Sequence, residues 1–134
     1  MNDHVFMKEA IRLSEEAVKH GNEPFGAVLV KDGQIVYSNE NQIYTRHDPS
    51  FHAEAGLIRR FCAETGITDL SEYTLYSSCE PCFMCSGAMV WTKLVDRKSI
   101  SYTNWWFKIF HLVLPMVDDR CLIDFIEIFV DTIN

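Results

Sequence analysis

Two short stretches hold side chains that can do chemistry together: His52-Ala53-Glu54 and Pro81-Cys82-Phe83-Met84-Cys85. Cys82 and Cys85, three positions apart at a helix start, point to one side and can grip a single ion. His52 opens a different helix and reaches the same ion from another direction. Three such donors suit zinc and leave its fourth tetrahedral position to water, the pattern of a catalytic rather than a structural site. Zinc brings the pKa of water down to about 7 in favourable sites. Glu54, two residues past the ligand, can flank the metal without binding it and move a proton. Each half is weak alone. A histidine at a helix start is usually structural, and Cys-x-x-Cys also serves redox pairs and zinc knuckles. A closed Cys3His site with Cys79 as fourth ligand competes with the catalytic reading but leaves Glu54 without a purpose. A redox pair leaves His52 unexplained.

Bringing these residues together requires a particular run of elements. Asn2 or Asp3 can cap a first helix that ends at Gly21, with Phe6, Ala10, Leu13 and Ala17 on its buried face. Gly26 to Lys31 and Gln34 to Ser38 read as strands, and Asp32-Gly33 between them is a hairpin signal. Asp48-Pro49-Ser50 stops the following loop and introduces a helix from about His52 to Thr65, packed through Leu57, Ile58, Phe61 and Cys62 and ended by Gly66. Tyr73 to Ser77 reads as a central strand. Pro81 stands where a proline opens a helix, predicted from about Cys82 to Lys93, and Lys98 to Thr103 reads as a further strand. The order α-β-β-α-β-α-β predicts an α/β protein whose sheet is covered by helices. Two helix N-termini then aim partial positive charge at the metal and favour thiolate over thiol.

A chain of 134 residues is the size of one domain, read as 1–134. Acids outnumber bases 19 to 12, giving a net charge of -7, and the compact basic pairs are Arg59-Arg60 and Arg97-Lys98. That balance argues against nucleic acid as the partner and for a small-molecule substrate. The N-terminus lacks the apolar core of a signal peptide, and five cysteines, an odd number, argue against a disulfide framework. A cytoplasmic protein is expected. The longest apolar stretch, Trp105 to Val117, is broken by Lys108, His111 and Pro115 and falls short of the roughly 20 residues a membrane span needs.

Taken together, the two motifs match the H-x-E…P-C-x-x-C pattern of zinc deaminases. The stretch from about Glu23 to Leu94 resembles the purine-acting branch of the cytidine deaminase superfamily, which includes bacterial guanine deaminases and tRNA adenosine deaminases. Glu23-Pro24-Phe25-Gly26-Ala27-Val28 is similar to the guanine deaminase form of the first strand. Asp48 to Glu54 is similar to the first metal motif, with Phe51 where a small residue is more usual, and Leu75 to Met89 is similar to the second.

The resemblance implies a three-layer α/β/α fold with a mixed central sheet, a Zn2+ cofactor, metal ligands His52, Cys82 and Cys85, and Glu54 as the catalytic proton carrier. It also implies hydrolytic loss of an amino group from a purine base, guanine first, with ammonia as product. Asn41 falls where the family places an asparagine that hydrogen-bonds the purine, and one amide can read a base edge as donor and acceptor. Phe25 is expected to stack on the base, Trp91 to wall the pocket, and the Ala53 backbone to contact the substrate. For Phe25 and Trp91 a place in the core is the competing reading. Alternative functions are adenosine deamination in tRNA and a catalytically inactive zinc-stabilised domain. A homodimer is expected from the resemblance and the apolar tail.

After Leu94 the resemblance ends, and residues 95–134 diverge. Trp105-Trp106-Phe107 and Ile109-Phe110 stand where an acidic substrate-binding residue is expected. Cys121 to Asn134 reads as a helix with Asp124, Glu127 and Asp131 opposite Ile126, Phe129 and Val130, with a strand as the alternative that its Ile, Phe and Val content leaves open. A change of reading frame is one explanation, tested by resequencing the gene.

Overall fold

Asp32 (φ 51°) and Gly33 (φ 74°) are both left-handed, the backbone a two-residue type I′ hairpin turn requires. They join β1 (Gly26–Lys31) to β2 (Gln34–Glu40), and a bulge between Leu29 and Val30 shifts the register of this antiparallel pair. The computed structural model describes residues 3–94 and the strand Ser99–Ile100. The predicted strand to Thr103 lies only partly within that range, and the predicted helix over Cys121 to Asn134 lies outside it.

Among the described residues four strands form one mixed sheet in the order β2-β1-β3-β4, where β3 is Thr74–Ser77 and β4 is Ser99–Ile100. β3 runs antiparallel to β1 and parallel to β4. The fold class agrees with the expectation of a mixed sheet between helical layers. Alternation along the strands sorts the two faces. Val28, Val30 and Tyr76 meet Phe6 and Met7 of α1 (Asp3–Lys19) on one side. Ala27, Leu29 and Leu75 meet Leu57, Ile58 and Phe61 of α2 (Ala53–Thr65) and Met89 of α3 (Phe83–Trp91) on the other. The Tyr76 hydroxyl donates to Asp3 Oδ1 at 2.6 Å and fastens the start of α1 to the sheet.

The helix boundaries differ from expectation at the functional ends. Gly66 (φ 74°) ends α2 as predicted, its N–H donating to the Cys62 carbonyl at 2.9 Å. α2 begins one residue later than predicted, because His52 keeps an extended backbone. α3 also begins later: Cys82 is its N-cap with ψ 175°, so Pro81 precedes the cap instead of opening the first turn. α3 ends at Trp91, short of the predicted Lys93, whose φ of 61° cannot continue a helix.

α1 lies close against β1 because Gly26 has no side chain. A Cβ there would stand 2.3 Å from the Ala10 carbonyl oxygen and 2.6 Å from Leu13 Cβ. Helix backbone cannot give way as a side-chain tip can, so Gly26→Ala is expected to destabilise the fold by about 1–3 kcal/mol. Urea denaturation checks this, and an unchanged midpoint would refute it.

Candidate metal and proton-transfer site

Three side chains converge where α2 and α3 begin. Cys82 Sγ lies 3.5 Å and Cys85 Sγ 3.7 Å from His52 Nδ1. All three donor atoms lie within 4.8 Å of one another. A tetrahedral zinc with ordinary Zn–S and Zn–N bonds separates its nitrogen and sulfur ligands by about 3.6 Å. The separations therefore fit the edges of a zinc tetrahedron, and the donor set fits the metal. Cys79 is exposed and stands outside this group, which removes the closed four-ligand alternative.

His52 and Cys82 are the N-caps of α2 and α3, yet neither side chain caps its helix. A serine, threonine or aspartate cap typically stabilises a helix by about 1 kcal/mol, which both helices forgo. Their side chains are turned on each other instead, with two sets of free helical N–H groups behind them. Cys85, one turn into α3, is fully buried. Burial first, and the neighbouring Glu54 carboxylate second, push its thiol well above the ordinary range, while the Ala55 backbone N–H pulls the other way. A thiolate in this place needs a cation beside it.

Glu54, in the first turn of α2, is only 4% exposed. Its Oε1 accepts the hydroxyl of Ser77, and its Oε2 lies 3.5 Å from Cys85 Sγ. The carboxylate thus borders the ligand group without belonging to it. An acid held there can pass a proton to and from a molecule bound at the metal.

The approach to His52 is a loop held by the buried side chain of Asn22 and the partly exposed one of Asp48. Asn22 accepts the backbone N–H groups of Tyr44 and Thr45 at 3.0 and 3.2 Å. Asp48 Oδ1 accepts both the backbone N–H and the hydroxyl of Ser50, at 2.9 and 2.6 Å. Phe51, beneath the Arg46 guanidinium at 4.2 Å from the ring centre, is buried against Gly56. A Cβ at Gly56 would stand 2.8 Å from both the Phe51 ring and Asn39 Nδ2, so Phe51 and Gly56 share one volume.

Of the expected substrate contacts, Asn41 is brought into this end of the fold. It is 1% exposed, its N–H donates to the Phe25 carbonyl at 2.9 Å, and its Oδ1 accepts Ile43 N–H at 3.2 Å. Phe25 is half-buried and packs on the core beside α2. Ala53 is fully buried between His52 and Glu54. Trp91 is not brought there: it ends α3, at the far end from Cys82, and is 88% exposed. A helix of this length cannot fold its last side chain back to its first turn.

Sequence reasoning missed two residues. Asn39, buried near the end of β2, donates to the Ala53 carbonyl at 2.9 Å and fixes the chain between His52 and Glu54. Ser77 is the other. Both are polar residues at strand positions that alternation assigns to a covered face, a signal of a required partner.

The sequence profile described as "Cytidine and deoxycytidylate deaminase zinc-binding region" matches residues 1–101. A guanine deaminase from Bacillus subtilis is 46% identical over 94 residues, 69% of this chain and 60% of that protein. A tRNA-specific adenosine deaminase from Aquifex aeolicus is 35% identical over 94 residues, 70% of this chain and 62% of that protein. The matched region therefore spans about three-fifths of the length of these relatives. A crystal structure of guanine deaminase from Bacillus subtilis superposes with a TM-score of 0.68 at 43% identity, covering 74% of this chain and 62% of that one.

Proposed function

Because the chain belongs to the family of cytidine and deoxycytidylate deaminase zinc-binding domains, we propose that it is a zinc-dependent hydrolase that removes an exocyclic amino group from a free purine base, guanine first. The observation that carries this reading is the buried, non-ligating Glu54 beside the His52, Cys82 and Cys85 donors. His52 Nδ1 and the two sulfurs would hold zinc. When bound, zinc supplies the Lewis acidity that makes water nucleophilic near neutral pH. Glu54 takes a proton from the attacking water and delivers it to a ring nitrogen of the base. The C–N bond to the amino group then breaks as the new C–O bond becomes a carbonyl. Glu54 takes the remaining proton from the new hydroxyl as it becomes that carbonyl and gives it to the departing nitrogen, which leaves as ammonia.

Similarity favours guanine, at 46% identity to a guanine deaminase against 35% to a tRNA-specific adenosine deaminase. The net charge of -7 also disfavours a nucleic-acid substrate. Asn41 would read the base edge with the Nδ2 that Ile43 leaves unengaged. The Ala53 N–H, in the first turn of the buried start of α2, has no intrahelical acceptor and would be the backbone contact to the substrate. Phe25 supports the pocket from the core side.

Asn41→Ala is expected to raise KM for guanine about tenfold while zinc content stays unchanged. Initial-rate kinetics check this, and an unaltered KM would remove Asn41 from the substrate contacts.

We also place the protein in the cytoplasm as a homodimer. The four described cysteines are thiols, and no helix among the described residues is long and apolar enough to cross a membrane. Phe83 and Met84 at the start of α3 and Trp91 at its end are exposed apolar side chains that a second copy would cover.

The decisive experiment is ammonia release by the zinc-loaded protein from guanine, adenosine, cytidine and a short tRNA hairpin. Turnover of guanine supports the proposal. Turnover of the hairpin alone would move it to tRNA adenosine, and none at all would leave a zinc-stabilised domain without catalysis.

A further inference from the structure

We propose that Ser77 is a positioning residue for Glu54, its hydroxyl fixing one carboxylate oxygen so that the other is left to carry the proton. This rests on the deaminase reading above. Ser77 is the last residue of β3, paired with Ala27 of the central strand β1, and is 3% exposed. Alternation puts it on the same face as Leu75, toward α2, among the apolar side chains of that layer and, across Ala27, in one row with Asn39. A hydroxyl buried there needs a hydrogen-bond partner. Its partner is Glu54 Oε1.

A carboxylate otherwise offers two equivalent oxygens, because its terminal torsion is broad and two-fold. The serine hydroxyl has one proton to donate and so distinguishes them. Oε1 is turned toward the sheet. Oε2 is left on the side of the ligand group, 3.5 Å from Cys85 Sγ. The anchor is firm because it belongs to sheet pairing rather than to a loop. Ser77 lies in the β1–β3 ladder, the next residue donates its N–H to the Gly26 carbonyl at 2.9 Å, and Ser78 Oγ accepts the Gly26 N–H at 3.0 Å. Ser77 thus couples the sheet to the orientation of the proton carrier, while three other side chains would hold the metal.

The test compares Ser77→Ala, Ser77→Val and Ser77→Thr in full-length protein, with zinc content measured on each. Losing the anchor is expected to lower kcat for guanine about tenfold to a hundredfold in the alanine and valine variants, with KM and zinc content unchanged. Threonine, which keeps the hydroxyl, is expected to recover most of the loss. A kcat close to wild type in both hydroxyl-free variants, or a loss confined to KM or to zinc content, would overturn the proposal. Thermal unfolding supplies a readout that does not need turnover. Ser77→Ala is expected to lower the melting temperature by about 3 °C or more in the Glu54 protein and to have little effect in a Glu54→Ala background. Equal shifts in both backgrounds would overturn the anchor itself. Wild-type protein that released no ammonia would instead sink the deaminase reading, leaving the melting comparison to judge the Ser77–Glu54 bond.

Discussion

Glu54→Gln is expected to keep its zinc and to lose about a thousandfold in kcat for ammonia release, within the range that general acid–base groups supply. Glutamine has the shape of glutamate and can still accept the Ser77 hydroxyl through its carbonyl oxygen, so the first turn of α2 should stay in place. What it lacks is an oxygen that can pick up and release a proton. The result separates two roles that geometry alone leaves adjacent, since Oε2 is only 3.5 Å from the sulfur of Cys85. Zinc analysis by emission spectroscopy and initial rates on the same preparation decide between them. Loss of metal along with activity would make Glu54 a ligand. Undiminished activity would mean that another group moves the proton.

The other large effect is expected from Cys85→Ala. This residue is fully buried, and without a cation its thiol is held protonated by burial and by Glu54. Alanine removes one of three donors and should reduce bound zinc from near one equivalent to near zero, with turnover lost entirely. It should also lower the melting temperature by about 10 °C or more, because a ligand present at a thousand times its dissociation constant stabilises the folded state by about 4 kcal/mol. Chelation of wild-type zinc should produce the same shift, and the variant should then show no further response to the chelator. A variant that keeps its zinc, or a wild type whose melting is indifferent to chelation, would refute the ligand assignment.

Much of this arrangement was legible in the residues. Asp32-Gly33 demanded a hairpin turn and made one, and Gly66 ended α2 in the left-handed conformation that glycine adopts without strain. The periodicity of α1 and α2 identified Phe6, Ala10, Leu57 and Phe61 as buried. The two motifs, each weak alone, together brought His52, Cys82 and Cys85 into one group, because ligand geometry constrains sequence directly. The helix starts were less legible. Propensity favours a helix beginning at Cys82 after a proline, but holding the sulfur toward His52 keeps Cys82 extended. Trp91 was misplaced because an aromatic near a motif says nothing about which end of the helix it occupies. Asn39 and Ser77 were missed for a different reason. Alternation assigns each to a covered face, but a strand does not say which partner waits there, and only pairing with Ala27 shows that both face α2.

The shared volume of Phe51 and Gly56 bears on how this loop can change over generations. Ring and would-be Cβ stand 2.8 Å apart, so a side chain cannot be added at Gly56 while the ring remains. Trimming the ring first merely opens a cavity, a loss a folded domain can often survive. The two orders of substitution are therefore unequal. A lineage exchanging this large–glycine pair for a small–larger one must shrink position 51 and let the Asn39 amide, also 2.8 Å away, give way before it enlarges position 56, and the reverse route must begin by giving up the side chain at 56. Intermediate sequences along either route should carry two small residues here, and a descendant bearing phenylalanine with a bulky neighbour should not be found.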